Sequence, residues 1–119
     1  MSSRAKGARG ELEAAELLRK LGYDARRSVQ YNGFAGGPDL VTSVEGVHFE
    51  IKRTERLSPY QFMAQATRDS AKTKAKPVVL ARSNNQDWLF IIKAGDLHEV
   101  IACLQRARKV SPFDGPEAQ

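Results

Sequence analysis

The stretch that decides the fold is Pro38-Asp-Leu-Val-Thr-Ser-Val-Glu-Gly-Val-His-Phe-Glu-Ile-Lys52, which has the pattern of a β-hairpin. Glu45-Gly46 is predicted to form its two-residue turn, with glycine where a positive φ is needed. Because side chains alternate between the two faces of a strand, this turn places Asp39, Glu50 and Lys52 on one face. The register it predicts pairs Val44 with Val47, Val41 with Glu50, and Asp39 with Lys52.

Two carboxylates and an ammonium gathered at one end of a hairpin suit a site that holds a divalent metal and handles a phosphate. Two alternatives stay open at this point. Glu50 and Lys52 can form the solvated face of an edge strand, with Asp39 as a turn residue. A three-residue turn over residues 45–47 would instead put Asp39 and Glu50 on opposite faces.

The bulk composition favours a polyanionic partner. The 119 residues suit one domain, and 19 Lys and Arg against 14 Asp and Glu give a net charge of +5 and a pI of about 9.6. Nucleic acid is therefore expected before an anionic membrane, since no apolar run approaches a spanning length. Cys103 is the only cysteine, which excludes an internal disulfide and fits a cytoplasmic location.

The remaining pattern predicts a single α/β domain with the element order α-β-β-β-α-β-β-α and a mixed central sheet flanked by helices. Residues 1–7 and about 108–119 are expected to be flexible. Outside the hairpin, the predicted elements are a helix over 8–21, a strand over 23–29, a helix over 58–74, strands over 77–81 and 87–92, and a last helix capped by Asp96.

Glu11 is the acidic residue of the first helix that we expect near the hairpin. It lies three, four and seven residues before Ala14, Ala15 and Leu18, so the helical period puts it at the inward edge. Glu13, Glu16 and Lys20 are predicted to form the solvated face of the same helix. As an alternative, Glu11 is a first-turn acid favoured only by the helix dipole.

Pro38-Asp39 followed by Glu50-Ile51-Lys52 resembles the signature of the PD-(D/E)XK nucleases. With the inward Glu11 and the element order, residues 4–95 resemble the archaeal Holliday junction resolvases and their small phage-encoded relatives. The resemblance rests also on Arg27-Ser28, Gln65-Ala66, Arg68-Asp69 and Pro77-Val78-Val79. It implies a restriction-endonuclease-like fold and a metal-dependent endonuclease that leaves 5′-phosphate and 3′-hydroxyl ends.

From this resemblance we expect a crossover-junction endonuclease that acts on four-way DNA junctions in recombination and repair. A homodimer is expected, because resolution needs two symmetric cuts and a twofold pair presents two sites. Two alternatives remain. The same chemistry can serve other branched or linear DNA, in repair or in a restriction-like role. The chain can also be a non-catalytic DNA-binding module on the same fold.

The chemistry assigns a role to each candidate catalytic residue: Glu11, Asp39, Glu50 and Lys52. Mg²⁺ prefers oxygen ligands and keeps several waters, so Asp39 and Glu50 with the backbone carbonyl of Ile51 suffice to hold it. Glu11 adds a third carboxylate, directly or through a water, and Mn²⁺ is a possible substitute for Mg²⁺. Lys52 is predicted to orient the attacking water or to stabilise transition-state charge.

Basic and polar residues around the motif are predicted to contact DNA phosphates. They are Arg4, Lys6, Arg9, Arg27, Ser28, Arg53, Arg56, Gln65 and Arg68. Gln65 is equally compatible with a wet helix face. His48 is expected to be an exposed residue at a strand end, and Cys103 a small buried hydrophobe.

Overall fold

Helices and strands follow each other in the predicted order in the computed structural model, which describes residues 3–28 and 39–108. The fold class is therefore confirmed. The helices are α1 (Ser3–Lys20), α2 (Pro59–Ser70) and α3 (Leu97–Ala107), with a 3₁₀ turn (Ala94–Asp96) before α3; the strands are β1 (Ala25–Arg27), β2 (Leu40–Thr42), β3 (Val47–Arg53), β4 (Lys76–Arg82) and β5 (Leu89–Ile91).

The strands of the described residues form two sheets. Strands β1 and β2 make an antiparallel pair, and the larger sheet has the order β3-β4-β5. In that sheet β3 and β4 are parallel from Val47↔Lys76 to Arg53↔Arg82, whereas β4 and β5 are antiparallel. The larger sheet is thus mixed, and α2 is the crossover connection that parallel pairing requires.

Each face of the larger sheet packs against different helices. Phe49 and Ile51 of β3 join a core cluster that includes Leu18 of α1 and Val100 of α3. On the opposite face, Val79 and Ala81 of β4 pack with residues of α2. Side chains alternate between the two faces along β3, so those of His48, Glu50 and Lys52 lie on the face that packs against α2.

The predicted register of the hairpin is wrong, although the chain turns at the predicted place. Gly46 has a φ of +88°, as expected for the turn. However, β2 pairs with β1 and β3 with β4, and the Asp39 N–H donates to the carbonyl of Phe49 at 3.3 Å rather than facing Lys52. The physical reason is that the N–H of Val44, which the predicted register would pair with Val47, donates instead to Oγ1 of Thr42 at 3.1 Å.

Several helix boundaries and faces also differ from the predictions. Helix α1 begins at Ser3, earlier than the predicted start at residue 8. Leu21, predicted as the last residue of this helix, lies after its end and is more than half exposed. Asp96 precedes α3 without a side-chain capping bond, because its carboxylate pairs with Lys76 Nζ at 3.7 Å. Residues 109–119 lie outside the described part of the chain.

The described helices include none that is both long enough and apolar enough to cross a membrane.

Candidate active site

Asp39 is anchored at the start of β2 by three backbone contacts. Its Oδ2 accepts a hydrogen bond from the N–H of Ile51 at 2.7 Å. Its own N–H donates to Phe49, and its carbonyl accepts from the N–H of Ser28 at 2.9 Å. These contacts hold the Asp39 carboxylate against the middle of β3, next to Glu50. Pro38, the other residue of the signature, lies outside the described residues.

Glu50, Lys52 and Gln65 form a connected polar group between β3 and α2. Lys52 Nζ donates to Gln65 Oε1 at 2.7 Å, and Gln65 Nε2 donates to Glu50 Oε2 at 3.2 Å. Lys52 Nζ lies 3.8 Å from the same oxygen of Glu50 and 5.7 Å from the centre of the Phe62 ring. Gln65 is therefore part of the candidate site and not of a wet helix face.

The charge balance of this group favours a cation. The pKa of Asp39 is raised from its ordinary value of 3.8 to about 7, first by burial of the carboxylate and then by the negative charge of Glu50. The charge of Glu11 acts in the same direction, whereas the Ile51 N–H and the Lys52 ammonium lower the pKa. The cluster thus carries more negative charge than Lys52 compensates, and its carboxylate oxygens are the ligands that Mg²⁺ prefers.

Glu11 lies half-buried at the edge of this cluster, where its predicted inward position is observed. Its Oε1 accepts a hydrogen bond from Arg27 Nε at 2.6 Å, so a basic residue of β1 orients the carboxylate. The preceding residue, Gly10, is buried against β3: a Cβ there would lie 3.0 Å from the Cβ of Arg53. The absence of a side chain at position 10 lets α1 bring Glu11 close to the strand.

His48 is buried rather than exposed, which corrects the sequence prediction. It is 3% exposed, and its Nε2 lies 3.5 Å from Oε1 of Glu50. Helix α2 covers this face of β3, so the end of the strand is not at the surface. Asp69 of α2 completes a group with His48 and Glu50, in which one ligand atom of each residue lies within 4.8 Å of the others.

Asp69 was not predicted as a site residue, although the sequence carries a signal for it. It follows Gln65 by four residues on a predicted helix, so both side chains lie on the same helical face. Since Gln65 faces Glu50, Asp69 faces the same strand one turn later.

The predicted DNA-contact residues differ in their exposure and in the contacts that they make. Arg9 and Arg56 are exposed, Arg27 is exposed and bound to Glu11, and Ser28 contributes its backbone to Asp39. Arg68 is exposed and lines a groove between α2 and residues 91–94. The side chains of Arg4 and Lys6 lie outside the described part of the structure.

Arg53 forms an ion pair within the protein and is not exposed for contact with DNA. It lies on the face of β3 opposite Lys52, where its Nε is 3.4 Å from Oε1 of Glu13. Arg82 of β4 donates to the same oxygen at 3.2 Å. Glu13 is therefore the shared partner of two arginines and not part of the solvated face of α1, and Arg53 is not part of the candidate DNA-binding surface.

Comparison with known proteins gives a family and a fold for the chain. The model of a family described as "phage putative PDDEXK endonuclease" matches residues 2–111. No curated protein sequence matches the chain.

The fold is similar to a solved structure of Archaeoglobus fulgidus Hjc, a Holliday junction resolvase from an archaeal hyperthermophile. The TM-score is 0.55 at 20% sequence identity, and the match covers 71% of this chain and 75% of the archaeal one. At this identity the likeness concerns the fold.

Proposed function

Because the chain belongs to this family of phage PD-(D/E)XK endonucleases, we propose that it is a Mg²⁺-dependent, structure-specific DNA endonuclease that resolves four-way junctions. The observation that carries the proposal is the group in which Asp39, Glu50 and Lys52 converge. Gln65 binds both Glu50 and Lys52, and Ile51 binds Asp39. A binding-only protein has no need to hold buried acids beside a lysine in this way.

In this proposal Asp39 and Glu50 hold Mg²⁺ with the carbonyl of Ile51, and Glu11 joins them directly or through a water. The bound cation supplies charge neutralisation at the phosphate and a lowered pKa for water. Mn²⁺ can take the same place, since it also accepts carboxylate and carbonyl ligands.

Lys52 is the residue that we assign to the reacting phosphate. Its Nζ is fixed by Gln65 and lies near Glu50, so the ammonium is already oriented before the substrate arrives. A fixed cationic donor stabilises the charge that develops on the phosphate oxygens, and it need not reorganise during the reaction. The products would carry 5′-phosphate and 3′-hydroxyl ends.

The DNA-binding surface would comprise Arg9, Arg27 and Arg56, together with Ser28 and the basic residues Arg4, Lys6 and Arg68. The net charge of +5 supports binding to a polyanion. A homodimer would present two sites to the two symmetric strands of a junction. We place the protein in the cytoplasm of the host cell, in DNA recombination and repair.

The test is cleavage of a synthetic four-way junction by the full chain with Mg²⁺, compared with flap, nicked and duplex DNA. Wild type should cleave the junction in preference to the other substrates, and Glu50→Gln should lose cleavage. Glu16→Gln is the matched control, because Glu16 is exposed on α1 and, among the described residues, pairs only with Lys20. Its activity should equal that of wild type.

Two outcomes separate the parts of the proposal. Equal cleavage of all four substrates would keep the endonuclease and remove the junction specificity, which favours a repair or restriction-like role. Junction binding without cleavage by wild type would remove the catalytic assignment and leave a DNA-binding module.

A further inference from the structure

His48, Glu50 and Asp69 form a second group of potential metal ligands on the α2 side of β3. One ligand atom of each residue lies within 4.8 Å of the other two. The group shares Glu50 with the candidate active site, but His48 and Asp69 have no part in the proposed cleavage. Their arrangement therefore needs a separate explanation.

The burial of His48 gives the first argument for a ligand. Its side chain is 97% buried, and the contact that it makes is with Glu50 Oε1 at 3.5 Å, the limit of a hydrogen bond. Among residues 3–28 and 39–108 the imidazole has no hydrogen-bond partner outside the group. Buried polar side chains normally have hydrogen-bond partners, so a buried imidazole whose neighbouring polar groups are two carboxylates is unusual.

The carboxylates give the second argument. The Asp69 carboxylate makes no hydrogen bond or ion pair with any side chain in the described part of the chain. The two carboxylate oxygens of Glu50 have different neighbours: Oε2 faces Gln65 and Lys52, whereas Oε1 faces His48. One oxygen of Glu50 thus remains available on the side of His48 and Asp69.

We propose that His48, Asp69 and Glu50 form a second divalent-cation site, which shares Glu50 with the Mg²⁺ site and is selective for transition metals such as Zn²⁺. Imidazole nitrogen is a good ligand for Zn²⁺ and a poor one for Mg²⁺, which prefers oxygen. The separation of 3.5 Å between His48 Nε2 and Glu50 Oε1 is close to that between two ligands of a tetrahedral zinc, about 3.4 Å for bonds of about 2.0–2.1 Å.

Such a site would bind its cation without DNA, so it does not depend on the nuclease proposal. A cation there would neutralise two carboxylates in a buried region and connect α2 to β3. The proposed site offers three protein ligands, which leaves one coordination position for water, as in zinc sites with an open coordination position.

The first experiment measures Zn²⁺ binding to the metal-free full chain by calorimetry, with and without saturating Mg²⁺. We expect one Zn²⁺ per chain that Mg²⁺ does not displace, and a Kd raised about tenfold or more in Asp69→Asn. Asp87→Asn is the matched control, since Asp87 is exposed in the loop before β5. It should bind Zn²⁺ like wild type.

The second experiment observes His48 directly and leaves the site residues unchanged. The chain has two histidines, and His98 is exposed, so His98→Gln leaves His48 as the one imidazole in the ¹⁵N spectrum. One nitrogen of His48 should shift when Zn²⁺ is added and stay in place when Mg²⁺ is added.

An unshifted His48 nitrogen at saturating Zn²⁺, or equal Zn²⁺ affinity in Asp69→Asn and wild type, would overturn the second site. These results are distinguishable from failure of the nuclease proposal. Loss of the zinc site with DNA cleavage intact affects only this inference, and Zn²⁺ binding without DNA cleavage affects only the other.

Discussion

The Lys52 ammonium donates a hydrogen bond to Oε1 of Gln65 at 2.7 Å, so a residue of the crossover helix orients the lysine of the neighbouring strand. Gln65 also donates to Glu50. It therefore acts as a positioning residue for both groups, and its effect on cleavage can be separated from an effect on folding.

We expect Gln65→Leu to lower the kcat of DNA cleavage by about tenfold to a hundredfold, the usual cost of losing a partner behind a metal ligand. The KM should change little, because the substituted residue need not touch DNA. Gln61→Leu, one turn earlier and exposed on the same helix, should keep wild-type kcat. A similar loss in both variants would argue against a positioning role.

Asp39 should make the metal-free protein less stable as pH rises. Its pKa is raised from 3.8 to about 7, so between these values the native state holds a proton that the unfolded chain releases. The free energy of unfolding should therefore fall through this window, by about 1.4 kcal/mol per pH unit, and level off above pH 7. Urea unfolding in EDTA measures it. The difference in the free energy of unfolding between Asp39→Asn and wild type should show the same pH dependence. If the free energies of the two proteins change in parallel with pH, Asp39 does not have the raised pKa.

The same raised pKa predicts that Mg²⁺ binding releases a proton. Below pH 7 the apparent affinity should increase by up to about tenfold per pH unit, and above it the affinity should be nearly constant. Calorimetry near pH 6 in two buffers of different ionisation enthalpy measures the proton count directly. Identical heats in both buffers would show that Asp39 is already ionised before the metal binds.

Glu13 should matter for stability because two arginines share its carboxylate. Glu13→Gln leaves the Arg53 and Arg82 guanidiniums without their common anion, and we expect a loss of about 1–3 kcal/mol in the free energy of unfolding. Glu16→Gln on the same helix should cost less than about 0.5 kcal/mol, since its side chain is 59% exposed against 30% for Glu13. Equal urea midpoints for the two variants would count against this view of Glu13.

Gly46→Ala should strain the turn before β3 in two ways. The φ of +88° is unfavourable for alanine, and the new Cβ would lie 3.0 Å from Sγ of Cys103. We expect a loss of about 1–3 kcal/mol in thermal or urea unfolding. Adding Cys103→Ala should recover only the contact part, because the φ strain remains. Gly95→Ala, whose Cβ would meet nothing within 4 Å, serves as the control.

Local periodicity was sufficient to predict the faces of the site. The period of two put Glu50 and Lys52 on one side of β3, and the helical period put Glu11 at the inward edge of α1. Gly46 marked the turn through its conformational freedom. These predictions depend on residues close together in the chain, where the backbone geometry alone fixes which side chains are neighbours.

Pairing between distant segments was not predictable in this way. The predicted register of the hairpin was wrong: β2 and β3 form their ladders with β1 and β4, which lie outside the hairpin. His48 was expected to be exposed because nothing local shows that α2 covers its face. Glu13 was assigned to solvent for the same reason: its partners Arg53 and Arg82 come from strands far along the chain. The helical period placed Asp69 on the same face as Gln65, but the sequence did not show which residues of β3 lie opposite that face.

The crossover helix has a consequence for folding kinetics. Strand β3 can pair with β4 only after the chain between them has closed through α2, and α2 carries Gln65 and Asp69. Parallel pairing across such a connection is a non-local and therefore slow step. The zinc-ligand group, through Asp69, and the orientation of Lys52, through Gln65, thus depend on α2 docking on paired β3. A chain that stops before this step should neither bind Zn²⁺ tightly nor cut DNA.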